Sequence, residues 1–242
     1  MIRTLLVRGL LLGLLAGLIA GAFAFAFGEP RVESAIALEN AGADHALGGE
    51  AHEHGEEALV SRPVQRAGLF LATGLYGLAV GGVFALVYAA LRGRVGPRSE
   101  GGLALAAAGT AFAAVILIPF LKYPANPPAV GDPDTINDRT LLYVVMIAVG
   151  LAATAIAVAT ARHVTAGPWA RWSAAVAAFL VPVAAAWWLL PAVDEVPDGF
   201  PATLLWEFRL ASLGTQLVFW TALGVLFGWA SERAARRSAP MS

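Results

Sequence analysis

Residues 5–27 read LLVRGLLLGLLAGLIAGAFAFAF, and this stretch decides the fold class. Crossing the roughly 30 Å hydrocarbon layer of a bilayer takes about 20 apolar residues at about 1.5 Å of helical rise each. The stretch is long enough. Its only charge, Arg8, stands within the first turn, where a long side chain can reach back to the head groups. Five more stretches follow the same pattern, at roughly 69–91, 103–121, 141–161, 172–190 and 210–230, and none contains Asp, Glu, Lys or Arg. A charge at the bilayer centre costs on the order of 3 kcal/mol or more, so charge-free runs are what spans require. Composition agrees. Of 242 residues 58% are hydrophobic and 14% charged, against about 25% charged in soluble domains. The expectation is an all-α, polytopic membrane bundle of six transmembrane helices, forming a single membrane domain over 1–242.

The first run has a second reading. Two arginines, an apolar core and the triplet Ala22-Phe23-Ala24 also suit a cleaved leader, which would leave five helices. The run is longer than a usual leader core, and Gly9, Gly13, Gly17 and Gly21 recur every four residues. Such a stripe on one helix face lets another helix approach closely, which favours a retained span. Gly224 and Gly228 repeat the spacing in the last run. These stripes also suggest an oligomer built through glycine-lined helices.

Arginine placement gives the orientation. Arg3, Arg8, Arg92, Arg94, Arg98, Arg162, Arg171, Arg233, Arg236 and Arg237 fall on one side, with only Glu100 and Glu232 as acids; the other side carries six basic and fifteen acidic residues. Six spans return the chain to its starting side, and both ends are basic. Both termini are therefore expected in the cytoplasm, with 231–242 as a basic cytoplasmic tail. Trp169, Trp187, Trp188, Trp206 and Trp229 near the span ends read as an interfacial belt.

Several chemistries are excluded or unsupported. There is no cysteine, hence no disulfide or thiolate site, and the net charge of −1 gives no attraction to nucleic acid. Neither a phosphate-binding GxxxxGK[ST] loop nor HExxH occurs. No histidine or carboxylate lies deep in a span, and Thr110, Thr154, Ser212, Thr215 and Gln216 are mild groups that helices commonly satisfy among themselves. No catalytic residue and no bound cofactor is expected, and the chain reads as a non-enzyme.

The outer loops hold what chemistry there is. In the 28–68 loop, His45, His52 and His54 stand among carboxylates including Glu50 and Glu53. Imidazole with carboxylate suits divalent cobalt, nickel or zinc, and small flexible neighbours favour weak, exchangeable capture over a fixed site. The plain alternative is a solvated loop that binds nothing. The 122–140 loop is rich in Pro and Asp, with five prolines between Pro119 and Arg139, which forbids a continuous helix. It contains Lys122, the only lysine, with Tyr123, Asp132, Asp134 and Arg139. Together with Glu195 from the third outer loop these read as a pore mouth, with Asp132 and Asp134 flanking Pro133 and aimed at a cation. An interfacial cap is the competing reading. Pro119 and Pro182, each near the outer end of a span, hint at repeated helical hairpins of a kind seen in transporters.

The stretch from Phe120 to Pro128 (FLKYPANPP), then Gly131-Asp132-Pro133-Asp134-Thr135, resembles the CbtA family. The resemblance continues through Leu190-Pro191, Glu195-Val196-Pro197, Phe200-Pro201, the run from Phe208 to Gln216 (FRLASLGTQ) and Phe219-Trp220. It implies a multi-pass subunit in the bacterial cytoplasmic (plasma) membrane for uptake of Co2+ or another divalent cation, linked to cobalamin biosynthesis. The implied partner is a small single-span, histidine-rich, CbtB-like subunit. A non-conducting structural or assembly subunit of a membrane complex is the alternative.

Overall fold

A computed structural model describes residues 2–46 and 62–238. Its regular elements are helices: α1 (Ile2–Phe23), α2 (Glu29–Ala46), α3 (Arg62–Leu91), α4 (Glu100–Ala111), α5 (Ile118–Lys122), α6 (Ile136–His163), α7 (Pro168–Leu189) and α8 (Ala202–Ser238), with a 3-10 turn at Pro133–Thr135. Six helical stretches are long and apolar enough to cross a membrane: Ile2–Ala41, Val64–Leu91, Glu100–Lys122, Pro133–His163, Pro168–Leu189 and Ala202–Arg237. Each contains one of the apolar runs read from sequence.

Two of these helices are composite. α1 continues into α2 through a π turn at Ala24–Gly28, and α4 into α5 through a π turn at Phe112–Leu117. Both π turns end one residue short of a proline, Pro30 or Pro119, and each closes with an i to i−5 bond, Glu29 N–H to the Ala24 carbonyl and Ile118 N–H to the Ala113 carbonyl. Proline brings no N–H, and its ring would collide with the carbonyl four residues earlier. Widening the preceding turn lets the helix continue past it.

The helices overrun the apolar runs. At about 1.5 Å per residue, Ile2–Ala41 is about 60 Å long, twice the hydrocarbon thickness. The residues after Gly28, expected as loop, are helical as far as Ala46, and α3 begins at Arg62. Ala- and Glu-rich sequence supports a helix there without an apolar run. Ion pairs fix it: Arg62 to Glu29 at 2.8 Å, Arg62 to Glu33 at 3.6 Å, Arg66 to both glutamates, and Arg31 to Glu207 of α8 at 3.4 Å. The expected tail from 231 onward is likewise helical through Ser238.

The chain forms two compact units. The first comprises Met1–Gly109, Pro127–Ala129 and Ala202–Ser242; the second comprises Thr110–Asn126 and Val130–Pro201. In the first, α1 packs antiparallel on α3 and also against α8. A Cβ on Gly13 would strike the Gly77 carbonyl oxygen and the Gly81 Cα, and one on Gly77 would strike Gly13 and Gly17. Only paired glycines allow this approach of two backbones. The stripe of α1 is thus filled by α3 of the same chain. Gly224 and Gly228 of α8 likewise face Ala108, Gly101 and Ala104 of α4. The faces of both stripes are thus occupied within the chain itself. Beside them, Phe84, Tyr88 and Phe227 form an edge-on aromatic cluster in the core.

In the second unit α6 and α7 form a hairpin joined by residues 164–167, and α6 also packs on the π turn and on α5. Gly150 rests against the Ala114 carbonyl. Met146 and Ala153 of α6 and Ala175 and Val183 of α7 are buried, while α7 is the least buried span and Trp188 is 91% exposed. Large exposed apolar side chains along all the spans are what a lipid solvent permits.

Candidate functional site

Within the second unit, residues 122–126 and 130–139 and the loop after α7 converge into one polar clasp. Tyr123 leaves the helix (φ −128°), and the prolines that follow keep the chain extended. Ala129 (φ 65°) and Gly131 (φ 114°) then turn it sharply in left-handed conformations. For alanine that region costs on the order of 1 kcal/mol, while glycine enters freely. At Gly131 space is a second constraint, since a Cβ there would collide with the Arg139 guanidinium. The turn delivers Asp132 to cap the 3-10 turn, its Oδ1 accepting the Asp134 N–H at 2.9 Å.

Glu195 is the centre. Its Oε1 accepts the Thr135 hydroxyl at 2.6 Å, and its Oε2 accepts the Asp132 N–H at 3.0 Å and faces Arg139 Nη1 at 3.3 Å. Thr135 also lies 2.9 Å from the Asp132 carbonyl, but one hydroxyl proton serves one acceptor, and the charged carboxylate at shorter range takes it. Arg139 closes the ring by donating to the Asp132 carbonyl at 3.1 Å. These contacts hold the Glu195 carboxyl below the usual carboxylate range; the Thr135 hydroxyl contributes most, then the Asp132 amide, then the Arg139 charge, with burial opposing.

A second pair of tethers joins the end of α5 to the end of α7 and the loop after it. Lys122 Nζ donates to the Trp187 carbonyl at 2.9 Å and lies 5.8 Å from the Tyr123 ring centre and 5.6 Å from that of Trp187. Tyr123, buried, donates its hydroxyl to the Pro191 carbonyl at 2.9 Å. Burial raises the Tyr123 pKa, so the phenol stays a donor at any physiological pH.

The residues expected at a pore mouth therefore do gather, in an arrangement different from the expected one. Asp132, Arg139 and Glu195 touch one another, Lys122 binds a backbone carbonyl in the last turn of α7, Tyr123 binds one in the loop after it, and Asp134 joins through its amide. Asp132 and Asp134 do not aim two carboxylates at one point, because Oδ1 of the first is turned onto the amide of the second. Glu195 has accepted donors on both oxygens and acts as a latch. Thr135 was not picked out by residue chemistry; its place three residues after Asp132, in an Asp-Pro-Asp-Thr turn, was the available signal.

His45 lies in the last turn of α2, and His52, His54, Glu50 and Glu53 lie outside the described residues. Among the described residues no three His, Cys, Asp or Glu side chains converge to hold a metal.

In the first unit, a polar cluster that sequence reading did not pick out surrounds Tyr88. Its hydroxyl bonds the Glu100 carboxylate, which also pairs with Arg92 (Nε to Oε1, 2.7 Å). Arg8 donates to the buried Ser231 hydroxyl at 3.1 Å, and Glu232 accepts the Gly101 N–H at 3.3 Å. The two acids counted on the basic side are thus structural, and Arg8 has a protein partner as well as access to head groups.

The model of one protein family, described as a probable cobalt transporter subunit (CbtA), matches residues 2–232. The chain belongs to the CbtA family. Both the clasp and the glycine-packed helices lie within the matched CbtA region. Six membrane-length helices together with CbtA membership make it a multi-pass membrane protein and one subunit of a larger system. No curated protein and no solved structure matches the chain.

Proposed function

We propose that this chain is the membrane subunit of a divalent-metal uptake system whose cargo is cobalt, serving cobalamin biosynthesis in a bacterial cytoplasmic membrane. The family match over residues 2–232 carries the reading. Arginine asymmetry supports cytoplasmic termini, which puts the clasp and the His45 to Glu57 segment on the outside. There the imidazoles and carboxylates gather cations weakly, and the exposed Asp134 and Asp138 add negative potential beside the clasp. A small single-span, histidine-rich subunit of the CbtB kind completes the system, and the chain performs no catalysis.

One observation favours a second reading, a structural or assembly subunit that conducts nothing. Thr73, Thr154 and Thr215, inside spans, turn their hydroxyls onto carbonyls of their own helices, at Leu69, Gly150 and Ala211. Their hydroxyl protons are thus spent within their own helices. Uptake of radioactive cobalt separates the readings. Cells carrying Asp132→Asn with Asp134→Asn keep the turn, since asparagine caps as well as aspartate. Transport through the mouth predicts uptake down several-fold at equal protein level; unchanged uptake supports the assembly role.

A further inference from the structure

The apolar part of α8 ends abruptly. From Leu210 to Gly228 there is no charge; then come Trp229, Glu232, Arg233, Arg236 and Arg237. A half-exposed tryptophan directly followed by arginines marks head-group depth. Here Trp229, Glu232, Arg233 and Arg236, spaced by one helical turn, line a shallow recess of about 280 Å³. The Arg233 guanidinium carbon lies 5.3 Å over the Trp229 ring, which orients it. Glu232 accepts the Gly101 amide, and Arg236 Nη2 stands 4.0 Å from its other oxygen, at the limit of an ion pair, with the Arg236 side chain 85% exposed. The recess thus carries net positive charge, and its one carboxylate is engaged by the neighbouring helix.

We propose that this recess binds the head-group phosphate of an anionic phospholipid, with Arg233 and Arg236 as phosphate donors and the Trp229 ring seated at the glycerol level. A phosphodiester offers the two acceptor oxygens that a guanidinium fork matches. Depth selects a lipid over a soluble anion, because the recess opens where acyl chains meet head groups. The site is separate from the clasp and independent of what the protein carries.

The test uses the full-length protein in detergent with native mass spectrometry, titrating phosphatidylglycerol against phosphatidylcholine. We expect a preference for phosphatidylglycerol that falls by about thirtyfold in Arg233→Gln/Arg236→Gln. Arg3→Gln/Arg171→Gln removes the same charge from the same side and should keep the preference. Circular dichroism and unchanged phosphatidylcholine binding confirm that the variants fold. Equal loss in both double variants would reduce the effect to general surface charge and overturn the site. Competition by millimolar glycerol phosphate would make it a soluble-phosphate site and overturn the lipid assignment.

Discussion

The α1–α3 pair and the α6–α7 hairpin are both antiparallel helix pairs in lipid, yet they are held by different means. Between α1 and α3, Gly9, Gly13 and Gly17 meet Gly81, Gly77 and the Thr73 carbonyl, backbone to backbone. Between α6 and α7 there is no such stripe, few side chains are buried, and α6 has one glycine contact, Gly150 on Ala114. Order in that second unit is added from the ends of its helices, by the clasp. Since lipid tails supply no hydrophobic drive between helices, close packing and interhelical polar bonds are the means available. One region relies on the first and the other on the second.

The largest break in this contrast comes from the stripe. Gly13→Leu should destabilise by about 3 kcal/mol, because the side chain meets backbone that cannot move aside. Loss of membrane accumulation and a lowered melting temperature in detergent would register it. Gly109→Leu, on α4 where nothing lies within 4 Å, should stay within about 0.5 kcal/mol. A similar response at both positions would remove the stripe from the account. Tyr88→Phe is the intermediate case. It leaves the Glu100 carboxylate short of a buried donor and should cost about 1–2 kcal/mol in thermal unfolding.

The smallest expected effect lies in the clasp. Glu195→Gln should leave the melting temperature within about 2 °C, as partly exposed ion pairs contribute little. It should nevertheless speed hydrogen exchange at the Asp132 amide by about tenfold. The pH dependence has a definite sign. The folded carboxyl is lowered, so its contribution is complete above the ordinary glutamate value of about 4.3 and is lost as pH falls through the lowered one. Asp132 exchange, corrected for intrinsic rates, should therefore be flat from pH 7 to about 5 and rise only in stronger acid. A rise near pH 6 would mean the latch is not Glu195.

Six apolar runs and their glycine spacing were legible because both depend on local sequence. The partners of the glycines were not: nothing local distinguishes a stripe that waits for another copy from one that Gly77 and Gly81 fill. α2 was hidden because its helix is secured by Arg62 and Arg66 from the far side of a long connection, and a charged segment without an apolar run reads as loop. At the clasp the expected residues meet, but the sequence reading aimed Asp132 and Asp134 at a cation, whereas Asp132 Oδ1 caps the Asp134 amide. Whether a carboxylate is free or engaged depends on donors brought 60 or more residues along the chain, such as Thr135 to Glu195.

Both regions have lipid as solvent, and the proposed topology has the α7–α8 loop outside and the α3–α4 loop in the cytoplasm. The chain has no cysteine, so one introduced thiol is unambiguous. Asp198→Cys, in the α7–α8 loop, should react with a membrane-impermeant maleimide in intact cells, whereas Ser99→Cys, between α3 and α4, should react only after permeabilisation. Labelling of both in intact cells, or of Ser99→Cys alone, would contradict the arrangement.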